Sequence, residues 1–128
     1  MKLSIRKEPP APTLGKRGEM AARAYLTAQG YKILEKNYRV PIGEIDAVCE
    51  KAGRIVFVEV KTRSGERFGA PEESVHAFKQ RKLLRLAEWY LKDKRLGDVS
   101  VSFAVVAVVM GPGTPVPKIR LIENAFGA

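Results

Sequence analysis

Residues Gly43 to Arg63 read GEIDAVCEKAGRIVFVEVKTR, and the rest of the chain is best understood from this stretch. Two runs of strand character, Glu44–Cys49 and Ile55–Thr62, flank a polar break at Lys51, Ala52 and Gly53, the pattern of a β-hairpin. Side chains alternate across a strand. Glu44, Asp46 and Val48 therefore share one face of the first run, and Ile55, Phe57, Glu59 and Lys61 share one face of the second. Ile55 to Val58 is unbroken apolar sequence, which fits a strand covered on both faces. Charges at the end of such a strand are costly to desolvate, and they concentrate at functional sites.

The register decides whether Asp46 joins Glu59. An even loop, Ala52–Gly53 or Lys51–Arg54, pairs Glu50 with Ile55 and brings Asp46 opposite Glu59; an odd loop slips the pairing and turns Asp46 to the other face. Ala-Gly is not among the preferred two-residue turns. Carboxylates paired across a ladder have Cβ atoms about 5 Å apart and repel unless a cation lies between them. A hard divalent ion suits that place, since Mg²⁺ binds through one or two carboxylates, water and substrate phosphate. The competing reading is a solvated cluster of ion pairs, because Glu-x-Lys triplets are common; Glu59-Val60-Lys61 is the one such triplet in this chain.

A chain of 128 residues with 45% hydrophobic content suits one packed domain, here expected over residues 14–128 after a mobile, Pro-rich tail over 1–13. Lys and Arg number 23 against 14 Asp and Glu, a formal net charge of +9 that attracts a polyanion, nucleic acid or an anionic membrane surface. One Cys and one His exclude an internal disulfide and a Cys/His zinc set. Cys49 reads as a core residue facing away from Asp46. The N-terminal segment lacks the apolar core of a secretory signal, and no run is long enough to span a membrane, so a cytoplasmic location is expected.

Leu14 to Gln29 has helical spacing, with Thr13 as the cap and Gly30 as the stop. Its first turns hold Lys16, Arg17, Gly18 and Glu19; Gly15 and Gly18 cost helix stability and suggest a close approach. Tyr31–Tyr38 reads as an edge strand ended by Pro41, with Asn37 and Arg39 as candidate phosphate contacts. Ser64–Ala70, with Arg63 before it and Arg67 within it, reads as a basic loop of the kind that grips phosphate. A long helix is predicted over Ala77–Arg95, with Phe78, Leu83, Leu84, Ala87, Tyr90 and Leu91 inward and Gly97 as its stop. Lys79 near its start is placed to approach the carboxylates. Trp89 reads as packing, and His76 as a cap or surface residue. Val99–Met110 is a β-branched strand, GPGTPVP a rigid connection, and Ile119–Ile122 a short strand returning beside its predecessor. The order is helix, three strands, helix, two strands: an α/β fold with a mixed five-stranded sheet.

Gly15-x-x-Gly18-Glu19, Gly43-Glu44-Ile45-Asp46, Val56-Phe57-Val58-Glu59-Val60-Lys61-x-Arg63, Phe68-Gly69 and the Lys79-bearing helix follow one another in an order and at spacings that resemble the YraN-like family of uncharacterised bacterial proteins. That family is similar to the restriction-endonuclease-like superfamily, the PD-(D/E)xK nucleases, and within it to Holliday-junction resolvases. The resemblance implies a three-layer core and a metal-dependent DNA endonuclease, with branched or otherwise structured DNA as the candidate substrate. It makes Asp46, Glu59 and the Val60 carbonyl the ligands of Mg²⁺ or Mn²⁺, Lys61 the partner of the attacking water, and Glu19 an accessory acid. Lys16, Arg17, Arg39, Arg63, Arg67 and Lys79 become candidate DNA contacts, and a resolvase-like role implies a homodimer. Where the family usually opens its fourth strand with Arg-Phe-Asp, this chain has Ser102-Phe103-Ala104. A nucleic-acid-binding module that has lost catalysis is the alternative.

Overall fold

A computed structural model describes residues 10–64 and 77–125. It runs α1 (Leu14–Ala28), β1 (Lys32–Val40), β2 (Gly43–Lys51), β3 (Arg54–Arg63), α2 (Ala77–Asp93), β4 (Ser100–Gly111) and β5 (Thr114–Ile122). The five strands form one sheet in the order β1-β2-β3-β4-β5, with β1 and β5 at its edges. β3 and β4 pair in parallel, and every other neighbouring pair is antiparallel. That arrangement follows from connection length, because tight turns join antiparallel neighbours whereas α2 supplies the longer crossover that a parallel pair requires.

The hairpin closes through the two residues Ala52 and Gly53, at φ 52° and 76°. Left-handed backbone at both positions gives a turn whose twist matches the strands it joins. Lys51 pairs with Arg54, Glu50 with Ile55 and Ala47 with Val58, so the register is the even one.

The sheet is covered on both sides. Ala22 and Leu26 of α1 pack with Ala47, Cys49, Val56, Val58, Ala104, Val106 and Val108 on one face. Leu83, Leu86, Ala87 and Tyr90 of α2 pack with Tyr38, Val48, Ile55, Phe57 and Phe103 on the other. Helix, sheet and helix thus make three layers, an architecture consistent with a nuclease-like fold. Tyr90 holds the α2 layer through edge-on contacts with Tyr38 and Phe57, at centroid distances of 5.1 and 5.7 Å.

Thr13 caps α1 as expected, its Oγ1 accepting the Lys16 N–H at 3.2 Å, and Gly30 at φ 93° ends it. Elsewhere the elements depart from the pattern. α2 stops before Gly97: Arg95 takes the left-handed conformation at φ 54°, and Leu96 N–H closes the end on the Leu91 carbonyl at 2.9 Å. Leu86, not counted in the inward stripe, is a buried centre of the α2 layer. β5 begins at Thr114 and continues through Pro115 and Pro117; it lies at the sheet edge, where a missing N–H is tolerated, and its pairing with β4 shifts between Val109 and Gly111.

Candidate functional site

Three elements bring the charged residues together. β2 and β3 carry the acids; their ladder is regular from Lys51↔Arg54 up to Ala47↔Val58 and stops there, with Asp46 near enough to Glu59 to feel its charge. Beyond that pair the side chain of Asp46 takes over from the backbone, with Oδ2 accepting the Val60 N–H at 2.7 Å. Glu59 is buried, and its Oε1 is held from two directions, by Lys61 Nζ at 3.3 Å from its own strand and by Lys79 Nζ from the first turns of α2. Lys79, placed by the sequence reading near the carboxylates, is therefore an integral neighbour of Glu59.

The electrostatics follow from burial and crowding. Desolvation and then the charge of Glu59 push Asp46 up to about 7, the Val60 hydrogen bond opposes them, and Glu19 and Glu44 raise it further. Burial lowers Lys61, helped by neighbouring Lys79. Burial is the largest influence and lowers Lys79, but the bonds to Glu59 and Lys61 and the charges of Glu59 and Asp46 together outweigh it and raise the ammonium above its usual range.

Gly18 explains how α1 approaches this corner. A Cβ on Gly18 would overlap the Thr62 side chain, 2.7 Å from the Thr62 Cβ, so only glycine lets the helix rest on β3 there. Glu19 follows directly, pairs with Lys16 at 3.3 Å, and acts on Asp46 through its charge. Gly15 has open space around it beyond a 4.0 Å contact with Thr13 and makes no such approach.

Of the candidate DNA contacts, Arg17 and Arg63 are exposed and Arg39 pairs with Glu44 at 3.3 Å. Arg67, Phe68, Gly69 and His76 lie outside the described residues. The Ser102-Phe103-Ala104 substitution falls elsewhere: Ser102 and Ala104 line a hollow of about 180 Å³ with Tyr31, Arg54 and Glu123, at the Ala52 end of the hairpin. Ala104 belongs to the α1-side core, whereas Glu59 bonds Lys79 of α2. Cys49 is fully buried on the α1 side, and burial pushes its thiol up to about 12.

Two residues that the sequence placed on the Asp46 face or among candidate phosphate contacts stand in a further relation to Asp46. Glu44 is a further acid acting on Asp46. Asn37 falls opposite Asp46 between the pairs Lys36↔Ala47 and Tyr38↔Ile45, with a left-handed φ of 51°. At that point β2 gives up strict alternation, for Ile45 joins Val48 in the α2-side cluster. Trp89, expected in packing, is 42% exposed.

As a metal site the donor set has the right chemistry. Asp46 and Glu59 are hard oxygen ligands, and each has one carboxylate oxygen engaged by the bonds described above while the other takes no part in them. Burial first, and then the charge of Glu59, keep Asp46 raised, and a cation bound between the two would favour the ionised form. Among the described residues no three of His, Cys, Asp and Glu form a ready cage, so an ion here would depend on backbone oxygen, water and phosphate.

Comparison with known proteins places the chain in a family. Residues 18–108 match the family described as "Uncharacterised protein family UPF0102". A UPF0102 protein of Symbiobacterium thermophilum is 50% identical over 117 residues, covering 90% of this chain and 97% of its own. One from Moorella thermoacetica is 47% identical over 112 residues, covering 88% and 93%. The matched span runs from Gly18 through Asp46, Glu59, Lys61 and Lys79 to β4, and the chain belongs to the UPF0102 family.

Proposed function

We propose that this protein is a divalent-metal-dependent endonuclease that hydrolyses phosphodiester bonds in DNA. The observation that carries the reading is the meeting of Asp46, Glu59, Lys61 and Lys79 at the mouth of a sheet buried on both faces. Two acids and two ammonium groups confined there match what phosphodiester hydrolysis requires, a cation to face the phosphate and a group to manage the proton of the attacking water.

Asp46, Glu59 and the Val60 carbonyl would hold Mg²⁺ or Mn²⁺, which supplies Lewis-acid polarisation of the phosphate and acidifies bound water. The remaining work belongs to the chain. The Val60 N–H fixes the Asp46 carboxylate, and Lys61 is fixed by Glu59. Lys61, ion-paired with Glu59, is suited to orient the attacking water and, as a cation, to stabilise the negative charge that builds as the P–O bond to the leaving oxygen breaks. Lys79 places a second positive charge where the phosphate oxygens gain negative charge. The net charge of +9 favours a polyanionic substrate. No helix among the described residues is long and apolar enough to cross a membrane.

The second reading is a DNA-binding module without catalysis, favoured by the engagement of Glu59 Oε1 by two lysines. Linear, supercoiled, flapped and four-way DNA incubated with Mg²⁺ or Mn²⁺ separates the two. The nuclease reading expects nicking that Asp46→Asn and Lys61→Ala abolish while the fold persists. Binding that weakens steeply with salt, with every substrate left intact and both variants binding equally, selects the module.

A further inference from the structure

On α2, Lys82, Arg85, Trp89 and Lys92 recur at helical spacing and share one exposed face. The face begins one turn after Lys79, the residue bonded to Glu59. Two adjoining hollows lie along it. The larger, about 500 Å³, is lined by Ile42, Arg85, Glu88, Trp89, Lys92 and Asp93; the smaller, about 210 Å³, shares Ile42 and Arg85 with it and adds Arg81 and Lys82. Ile42, in the turn between β1 and β2, is 40% exposed and Trp89 42%, so an indole and an aliphatic side chain stand in solvent at the floor of a basic groove. Arg81, Lys82, Arg85 and Lys92 make no ion pair among the described residues. Two acids, Glu88 and Asp93, stand against these four cations, and Asp93 also accepts the Tyr38 hydroxyl at 2.9 Å.

We propose that this groove is a subsite for unpaired nucleotides of a DNA strand, with Trp89 stacking on a base beside Ile42, and Lys82, Arg85 and Lys92 facing the phosphates. The inference rests on the DNA reading and adds a substrate class to it. Charge complementarity selects a polyanion, and an aromatic face open to solvent selects one whose base faces are free. Duplex DNA keeps those faces inside its own stack, so the groove favours single-stranded stretches, overhangs or junction arms with unpaired bases. From Lys79 to Trp89 the helix rises about 15 Å, on the order of four stacked nucleotides. The subsite therefore lies within one strand's reach of the carboxylates.

Trp89 is the single tryptophan of the chain and reports its own contact. The full chain, in EDTA and at low salt, is titrated with a ten-nucleotide oligo(dT) strand and with a blunt duplex, following tryptophan emission and the anisotropy of labelled DNA. Quenching by the single strand, affinity about tenfold weaker in Trp89→Ala and restored in Trp89→Phe, is the expected result. Single strand bound without quenching, or bound equally well by Trp89→Ala, overturns the proposal. Emission that shifts with protein concentration alone, with a dimer in sedimentation that oligo(dT) does not displace, also overturns it, since a second copy then covers the groove. Cleavage by the parent chain separates this inference from the nuclease reading: quenching by oligo(dT) in a parent that cuts no DNA with Mg²⁺ or Mn²⁺ leaves the subsite standing without the enzyme, and cleavage by a parent that shows no quenching does the reverse.

Discussion

Asp46 Oδ2, one residue beyond the last pair of the β2–β3 ladder on β2, accepts the N–H of Val60, two residues beyond it on β3, at 2.7 Å, so a side chain joins the strands where the backbone pairing stops. An amide oxygen can take the same hydrogen bond and a methyl cannot. Asp46→Asn is expected to unfold near the parent temperature, whereas Asp46→Ala leaves the Val60 N–H without that acceptor and loses about 1–3 kcal/mol in urea denaturation.

The same residue gives stability a pH dependence in metal-free buffer. Burial first, then Glu59, raises Asp46 from the ordinary 3.8 to about 7. The folded chain keeps this proton where the unfolded chain has lost it, so stability declines as pH rises from about 4 to about 7, by at most about 4 kcal/mol. Urea melts in EDTA are expected to show that decline in the parent and a flatter profile in Asp46→Asn.

Lys79 and Lys61 share Glu59 Oε1, and a cation arriving at Glu59 has to contend with both. Lys79→Ala removes one competitor. Calorimetric titration with Mn²⁺ is expected to show tighter binding, on the order of tenfold, together with weaker binding of DNA. Unchanged Mn²⁺ affinity would mean that the ion does not engage Glu59.

Gly18 and Thr62 form a second, purely steric test. Gly18→Ala forces a methyl into the Thr62 side chain and is expected to cost about 1–3 kcal/mol. Thr62→Ala removes the atoms beyond Cβ and should recover part of that loss, so a double-mutant cycle reads the contact directly.

Cys49 provides a check on the sheet's interior. A fully buried thiol raised to about 12 is neutral at pH 8, and Ellman's reagent is expected to react with it only after denaturant is added.

The hairpin was legible because one physical fact, the period of two in a strand with buried faces, constrains every residue from Ile55 to Val58. The even loop it needed is the one observed, and the regular pairing runs up to Ala47↔Val58. Lys79 was within view as a cation near the start of the helix that follows β3. What stayed hidden depends on backbone conformations that no pattern announces. Asn37, Ala52 and Arg95 all adopt positive φ, and Arg95 does so in place of the glycine two residues on that would have ended α2 more easily. Asn37 stands opposite Asp46, where the alternation of β2 fails. Trp89 looked like packing because no second exposed aromatic accompanies it; in the structure the helix turns Leu86, Ala87 and Tyr90 inward and leaves the indole out. The strand character of β5 was masked by Pro115 and Pro117, which only an edge position accommodates.

The most direct test of the nuclease reading is a crystal grown with Mn²⁺, examined for anomalous scattering. A peak bonded to carboxylate oxygens of both Asp46 and Glu59, and absent in Asp46→Asn, is the result expected. Well-ordered crystals at saturating Mn²⁺ with no peak between these two residues, and Glu59 still held by Lys61 and Lys79, would contradict it.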